Sequence, residues 1–269
     1  MPYFEYLMEN KEEALRLDLK TDGKIVEKQA LWAGIKPGMR VADLGYGSGK
    51  TSFCLHKLVQ PNGTVFGVDI AEDRIKYAKK HYNRKGIEYI CRDIREPLDD
   101  LGMFDFLLVR FVLEYHRSKS FDIVKNISRI LKPGGILCLI DLDYNCLSHF
   151  GLSDRLNRTL HGIMKALETT ADFDPYVGIK LYSFLYDLDY KEIDASLAPH
   201  HLIFGELNGI DAFNWTKKLE VAVKKSGYQF LEYKGGYEEF IEECNRFFSD
   251  PRMFTYTPVI CCRGCKPAT

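Results

Sequence analysis

The chain has little excess charge, no long greasy run and no complete set of metal ligands, and each shortage removes a class of protein. Its 37 lysines and arginines against 38 aspartates and glutamates leave a formal net charge of −1. A protein that grips nucleic acid through phosphates needs a basic surplus, and there is none here. No uninterrupted apolar stretch approaches the ~20 residues that cross a bilayer. The opening MPYFEYLMENKEE is acidic where a secretory signal is basic and then apolar. These features predict a cytoplasmic protein with neither a nucleic-acid nor a membrane partner. The eight cysteines are scattered rather than grouped as a small disulfide framework, so reduced thiols are expected. Cys262 and Cys265 form one C-x-x-C pair, half of a structural zinc site, and no second pair or His-x-His completes it. No metal is expected.

What is present is 46% apolar residues, too much for a disordered chain. At 269 residues the length suits one large domain, or one with an elaboration. Leu15, Leu19, Ile25 and Leu31 recur at near-helical spacing and predict a helix over 9–32, within an N-terminal helical lid of residues 1–35. Strand and helix then alternate. Strands are predicted at 40–44, 64–70, 87–94, 104–111 and from 136 onward, with helices over 49–59 and 72–84 and a further one marked by Val124, Ile127 and Leu131. Strands separated by single helices imply right-handed crossovers and a parallel sheet covered on both faces. The expectation is an α/β fold, an open doubly wound core over 36–144.

Residues 145–269 are expected to hold the remaining core strands and an inserted helical cap. Helices are predicted over 152–171, 178–188, 211–226 and 236–249. KEIDASLAPHHLIF (191–204) reads as a sixth strand with an irregularity at its proline, and TYTPVICCRG (255–264) as a seventh. A last strand arriving from a long connection can enter antiparallel, which would pack Cys261 or Cys262 inside the sheet. Residues 172–256 hold 18 of the 35 aromatics, which suits either an ordinary second core or a cap walling an apolar pocket.

The chemistry concentrates in VADLGYGSGKT (41–51), where the first strand meets its helix, at the edge where open α/β sheets bind ligands. Gly45, Gly47 and Gly49 lie two apart, so the dinucleotide pattern G-x-G-x-x-G fails. Gly49-Lys50-Thr51 fits the end of a phosphate loop, but Leu44 stands where its first glycine belongs. Asp43 decides against a polyphosphate, because a carboxylate at the start of the turn repels phosphate and favours a cationic ligand.

The run D-x-G-x-G-x-G closing a first strand resembles the class I S-adenosylmethionine-dependent methyltransferases, and the resemblance continues in order over about 100 residues. Asp69 ends the second strand, where the family's acid accepts both ribose hydroxyls, and Ile70 matches the residue that packs on adenine. In CRDI (91–94), Asp93 corresponds to the acceptor for the exocyclic amine and Ile94 to an apolar neighbour of the base. FDFLLVRFVLEYH (104–116) and LKPGGIL (131–137) match the fourth strand with its loop and the turn into the fifth. The resemblance implies S-adenosylmethionine as cofactor, with Asp43 toward its amino group, directly or through water. Arg110 and Phe111 would lie under its methionine portion, Arg110 through its backbone. KEEALRLDLKTD resembles the helix that precedes the fold in the small-molecule branch with the ubiquinone and menaquinone methyltransferases. That implies Arg16 at the cofactor's carboxylate, with Tyr6 in the same lid.

The implied reaction is an in-line displacement onto a small, aromatic or apolar acceptor, in which alignment and exclusion of water supply most of the rate. A hydroxyl acceptor would need a base. Glu114 and His116 after the fourth strand, and Asp141 or Asp143 after the fifth, are the candidates, with His200 and His201 as a further pair. Tyr115 suits substrate orientation or simple lining. Two other readings stay open: a phosphate-loop NTPase, and a non-catalytic cofactor-binding protein acting through its helical cap.

Overall fold

Valine, leucine and phenylalanine fill the interior strands on both faces, as a sheet covered by helices on two sides requires. The computed structural model describes residues 6–8, 12–207 and 209–268. Strands β1 (Arg40–Leu44), β2 (Thr64–Asp69), β3 (Ile87–Cys91), β4 (Phe104–Arg110) and β5 (Leu131–Leu142) pair in parallel, in the order β3-β2-β1-β4-β5. β8 (Phe254–Cys265) lies antiparallel between β5 and β7 (Lys191–Phe204). The mostly parallel sheet with an antiparallel last strand is therefore as expected, with one addition. A two-residue strand β6 (His149–Phe150) also pairs with β8, making eight strands among the described residues rather than seven.

The register of β7 on β8 shifts between Pro199 and His201, where proline cannot donate to the ladder. Cys261 sits opposite Ile140 and Ser196, and Cys262 opposite Leu139 and Ala195. Burial pushes these thiols up, Cys261 to about 11 and Cys262 to about 12. They are packed sheet residues.

The helix expected over 9–32 is two helices, and its residues 9–11 lie outside the described residues. α1 (Glu13–Lys20) ends where Thr21 Oγ1 donates to the Leu17 carbonyl at 2.7 Å. Asp22 then caps α2 (Gly23–Ala33) by accepting from the Lys24 N–H at 2.8 Å. α3 (Lys50–Val59), α4 (Glu72–His81) and α5 (Ser120–Ile127) link the parallel strands. In the second half, α6 (Asp154–Thr170), α8 (Gly209–Ser226) and α9 (Gly236–Phe248) build a separate core. Leu160, Ile163 and Leu167 meet Trp215, Leu219, Phe240 and Phe247 there. α7 (Leu181–Asp187) packs against the sheet core instead. Among the described residues no helix is long and apolar enough to cross a membrane.

Candidate functional site

Parallel strands bring the carboxyl ends of β1, β2, β3 and β4 to one rim, and a cavity of about 160 Å³ opens there beneath α1. The turn after β1 forms its floor. Gly45, Gly47 and Gly49 have φ of 82°, 61° and 89°, a region that side chains strain to enter. Their surroundings differ. A Cβ on Gly45 would stand 2.4 Å from Val112 Cγ2, one on Gly47 3.0 Å from Leu17 Cδ1, and one on Gly49 2.6 Å from Ala78 Cβ. Gly45 and Gly47 line the cavity, whereas Gly49, the residue before α3, is tight against α4 and does not line it.

Asp69 ties the rim together. Its Oδ2 accepts the Gly47 N–H at 3.0 Å, and its Oδ1 accepts the Ala71 N–H at 3.1 Å and Arg74 Nε at 3.0 Å. One strand over, Arg95 grips Asp93 through both carboxylate oxygens at 2.6–2.9 Å. Burial works against the Asp93 charge, yet the Arg95 bonds hold this carboxyl below its usual range. Ile70 and Ile94 line the same end of the cavity. His116 does too, and burial with the nearby Arg95 charge pushes its imidazole down to about 4. It is a neutral ring and a weak base.

The opposite end gathers around Phe111, whose φ of 57° is strained for an aromatic residue. Its ring has the Arg110 guanidinium at 4.1 Å, the Lys20 ammonium at 5.7 Å and the His200 ring at 4.7 Å. Arg110 Nε donates to Gln29 at 3.0 Å, and burial lowers this guanidinium to about 10. Burial pushes Lys20 down to about 7, helped by Lys218 and Arg16.

A second pocket of about 40 Å³ adjoins the first, walled by α6, α8 and the loops after β4 and β5. Arg16, Lys20, Glu114 and Tyr115 line both cavities and mark their junction. Glu114 is 3% exposed and accepts from Asn145 Nδ2 at 2.7 Å. Burial raises its carboxyl, with Lys20 and Lys218 opposing.

Several expected residues sit elsewhere. Asp43 does not line the cavity: it is buried under the turn and accepts from Ser52 Oγ at 2.6 Å. Burial raises it to about 7 against the pull of Ser52 and Arg110. Arg16 is no open cation, because buried Glu13 holds its guanidinium at 2.6 and 2.7 Å. Tyr6 Oη donates to the same Glu13 at 3.0 Å, and its ring meets Tyr115 at 4.7 Å. Asp141 lines neither cavity, since its carboxylate accepts the N–H groups of Leu113, Glu114 and Leu142 at 2.9–3.2 Å. It shapes the loop that carries Glu114. His200 lines the larger cavity, and His201 packs on it with ring centroids 4.3 Å apart. Lys50, the lysine of the near phosphate loop, turns out to the Asp18 carbonyl at 2.9 Å, which leaves that alternative without support.

Sequence reasoning missed Lys20, Tyr46, Arg74 and Lys218. Lys20 was within reach: Glu13, Arg16, Leu17 and Lys20 follow the i, i+3, i+4, i+7 rule and share one face of α1. Lys218 carries no local signal, because only the packing of α8 brings it to the pocket.

Residues 42–139 match the methyltransferase domain family. The chain is 30% identical over 113 residues to the demethylmenaquinone methyltransferase of Lactococcus lactis, covering 41% of this chain and 44% of that protein. It is also 30% identical over 109 residues to the Staphylococcus aureus (strain JH9) enzyme of the same name, covering 39% and 44%. The matched stretch thus spans less than half the length of these relatives. Among solved structures, the YcgJ protein of Bacillus subtilis superposes with a TM-score of 0.57 at 15% identity, over 91% of this chain and 99% of its own. The phosphoethanolamine N-methyltransferase 2 of Haemonchus contortus, solved with S-adenosylhomocysteine, gives 0.58 at 14%, over 96% and 58%. The chain shares the fold of these solved structures, and its residues 42–139, which hold the Gly45–Gly49 turn and the rim acids Asp69 and Asp93, match the methyltransferase domain.

Proposed function

We propose that this chain transfers a methyl group from S-adenosylmethionine to a small-molecule acceptor, the larger cavity taking the nucleoside and the smaller one the acceptor. The observation that carries this reading is the junction, where two cavities of different character share Arg16, Lys20, Glu114 and Tyr115. An in-line displacement needs donor and acceptor sites that meet at one point with water excluded. The curated relatives add support, since their names assign them a small molecule, demethylmenaquinone.

The residues present suit the cofactor. Tyr46 Oη and His200 Nε2 are buried on the wall of the larger cavity without a hydrogen-bond partner among the described residues. Asp69 ends β2 and Asp93 lies two residues past the end of neighbouring β3, and Gly45 and Gly47 leave room for close backbone approach. Asp69 would accept the ribose hydroxyls, with Arg74 Nε releasing one lone pair of its carboxylate, and Asp93 would accept the exocyclic amine between Ile70 and Ile94. When bound, the cofactor supplies an electrophilic methyl on a cationic sulfur.

The chain's own residues do the rest. Phe111 and Val112 close the floor below the junction, and α1 covers it. Glu114, made more basic by burial, accepts a proton from a neutral hydroxyl or amine acceptor. Tyr115 orients the acceptor. His116 walls the nucleoside end and leaves the proton to Glu114.

Calorimetry with S-adenosylmethionine, S-adenosylhomocysteine and Mg-ATP tests the reading. The first two are expected to bind at one site and Mg-ATP not at all. Asp69→Ala should weaken cofactor binding by on the order of 1–3 kcal/mol. Binding of Mg-ATP in place of the sulfonium would overturn the proposal, and unchanged affinity in Asp69→Ala would remove the ribose assignment.

A further inference from the structure

The smaller pocket carries more positive charge than methyl transfer by itself calls for. Its wall is mostly apolar, with Leu7, Met164, Leu167 and Phe173, yet three cations line it against one carboxyl. Glu13 neutralises Arg16. No carboxylate among the described residues lies within ion-pair distance of Lys20 or Lys218. Among the described residues, the Lys218 ammonium has the Cys146 thiol at 3.6 Å and the Trp215 ring at 5.5 Å, and the Lys20 ammonium has the Phe111 ring at 5.7 Å. Glu114, the acid that both lysines feel, accepts from Asn145 and supplies at most one negative charge against two ammonium groups. Two ammonium groups that repel each other inside an apolar wall are costly, which pushes Lys20 down, and an anion between them relieves that cost.

We propose that this pocket selects an acceptor with an anionic oxygen, a carboxylate or an ionised hydroxyl, on an apolar or aromatic body. Lys20 and Lys218 hold the oxygen, while Met164, Leu167 and Phe173 take the body. This rests on the methyl-transfer reading above. An ionised acceptor also simplifies the chemistry. Its electron pair forms the bond to the methyl carbon as the carbon–sulfur pair returns to sulfur. The acceptor's negative charge and the sulfonium's positive charge cancel, and no proton moves in the transfer itself; Glu114 acts only on an acceptor that arrives neutral.

The test uses the full chain loaded with S-adenosylhomocysteine and two probes of nearly equal shape, benzoate and benzamide, followed by ligand-observed NMR. Wild type is expected to bind benzoate at least tenfold more tightly. Lys218→Met should lose that preference and Lys218→Arg keep it, with S-adenosylhomocysteine affinity unchanged within twofold in both. Equal affinity of wild type for the two probes, including no binding of either, overturns the proposal and needs no variant. A Lys218→Met protein that keeps the preference overturns it as well. Failure of S-adenosylhomocysteine to bind wild type strikes the methyl-transfer reading itself, and this inference falls with it.

Discussion

The carboxylate of Asp69, at the end of β2, accepts the backbone N–H of Gly47 at 3.0 Å, tying the second strand to the glycine turn after the first. One residue therefore shapes the turn and faces the cavity. Asp69→Asn retains an acceptor for Gly47 but gives up the charge that pairs with Arg74. It should lower the melting temperature, because the buried Arg74 charge loses this carboxylate, and weaken S-adenosylhomocysteine about tenfold. Asp69→Ala, which also frees the Gly47 N–H, should lower both further. Calorimetry beside thermal melts separates the two roles.

Asp43 makes a pH prediction. Burial raises its folded carboxyl from 3.8 to about 7, so the folded state binds the extra proton between those values. Its contribution to stability is fully present below 3.8 and is lost as pH rises through about 7. Asp43→Asn, which keeps an acceptor for Ser52, should match wild type near pH 4. By pH 8 it should be more stable by roughly 1–4 kcal/mol. Denaturant melts across that range check it, and a gap that narrows with rising pH would contradict it.

Glu13 is 1% exposed and holds Arg16 through two bonds. Removing the guanidinium leaves the buried Glu13 charge with the Tyr6 hydroxyl but without that cation, so Arg16→Ala should cost about 3–5 kcal/mol. The double change Glu13→Gln with Arg16→Met removes the stranded charge and should recover most of that loss. A double-mutant cycle by chemical denaturation measures it.

Gly49 and Gly47 should respond oppositely to alanine. At Gly49 the new methyl meets Ala78 at 2.6 Å and its backbone Cα at 3.1 Å, a collision between helices that should cost about 1–3 kcal/mol of stability. At Gly47 it meets only the end of Leu17, which can turn, but it enters the cavity. Stability should fall less there and S-adenosylhomocysteine affinity more.

These residues also show what the sequence reveals and what it hides. The buried strands are legible because parallel strands covered on both faces must be apolar runs, and Asp69 because it ends such a run. Thr21 and Asp22 are legible only as caps, so apolar spacing alone merges α1 with α2. The neutralisation of Arg16 by Glu13 follows the i, i+3 rule and is readable in retrospect. Asp141 is different: its place near the end of β5 suits a base, but two of the three backbone N–H groups that claim it lie 27 and 28 residues away. Lys218 reaches the pocket only through the fold, which no local pattern encodes.

A crystal structure of the full chain with S-adenosylhomocysteine tests the central claim most directly. The account predicts the ribose hydroxyls on Asp69, the adenine edge toward Asp93 between Ile70 and Ile94, and the sulfur at the junction beside Lys20 and Glu114. A ligand seated outside that cavity, or with its sulfur turned away from the second pocket, would contradict it.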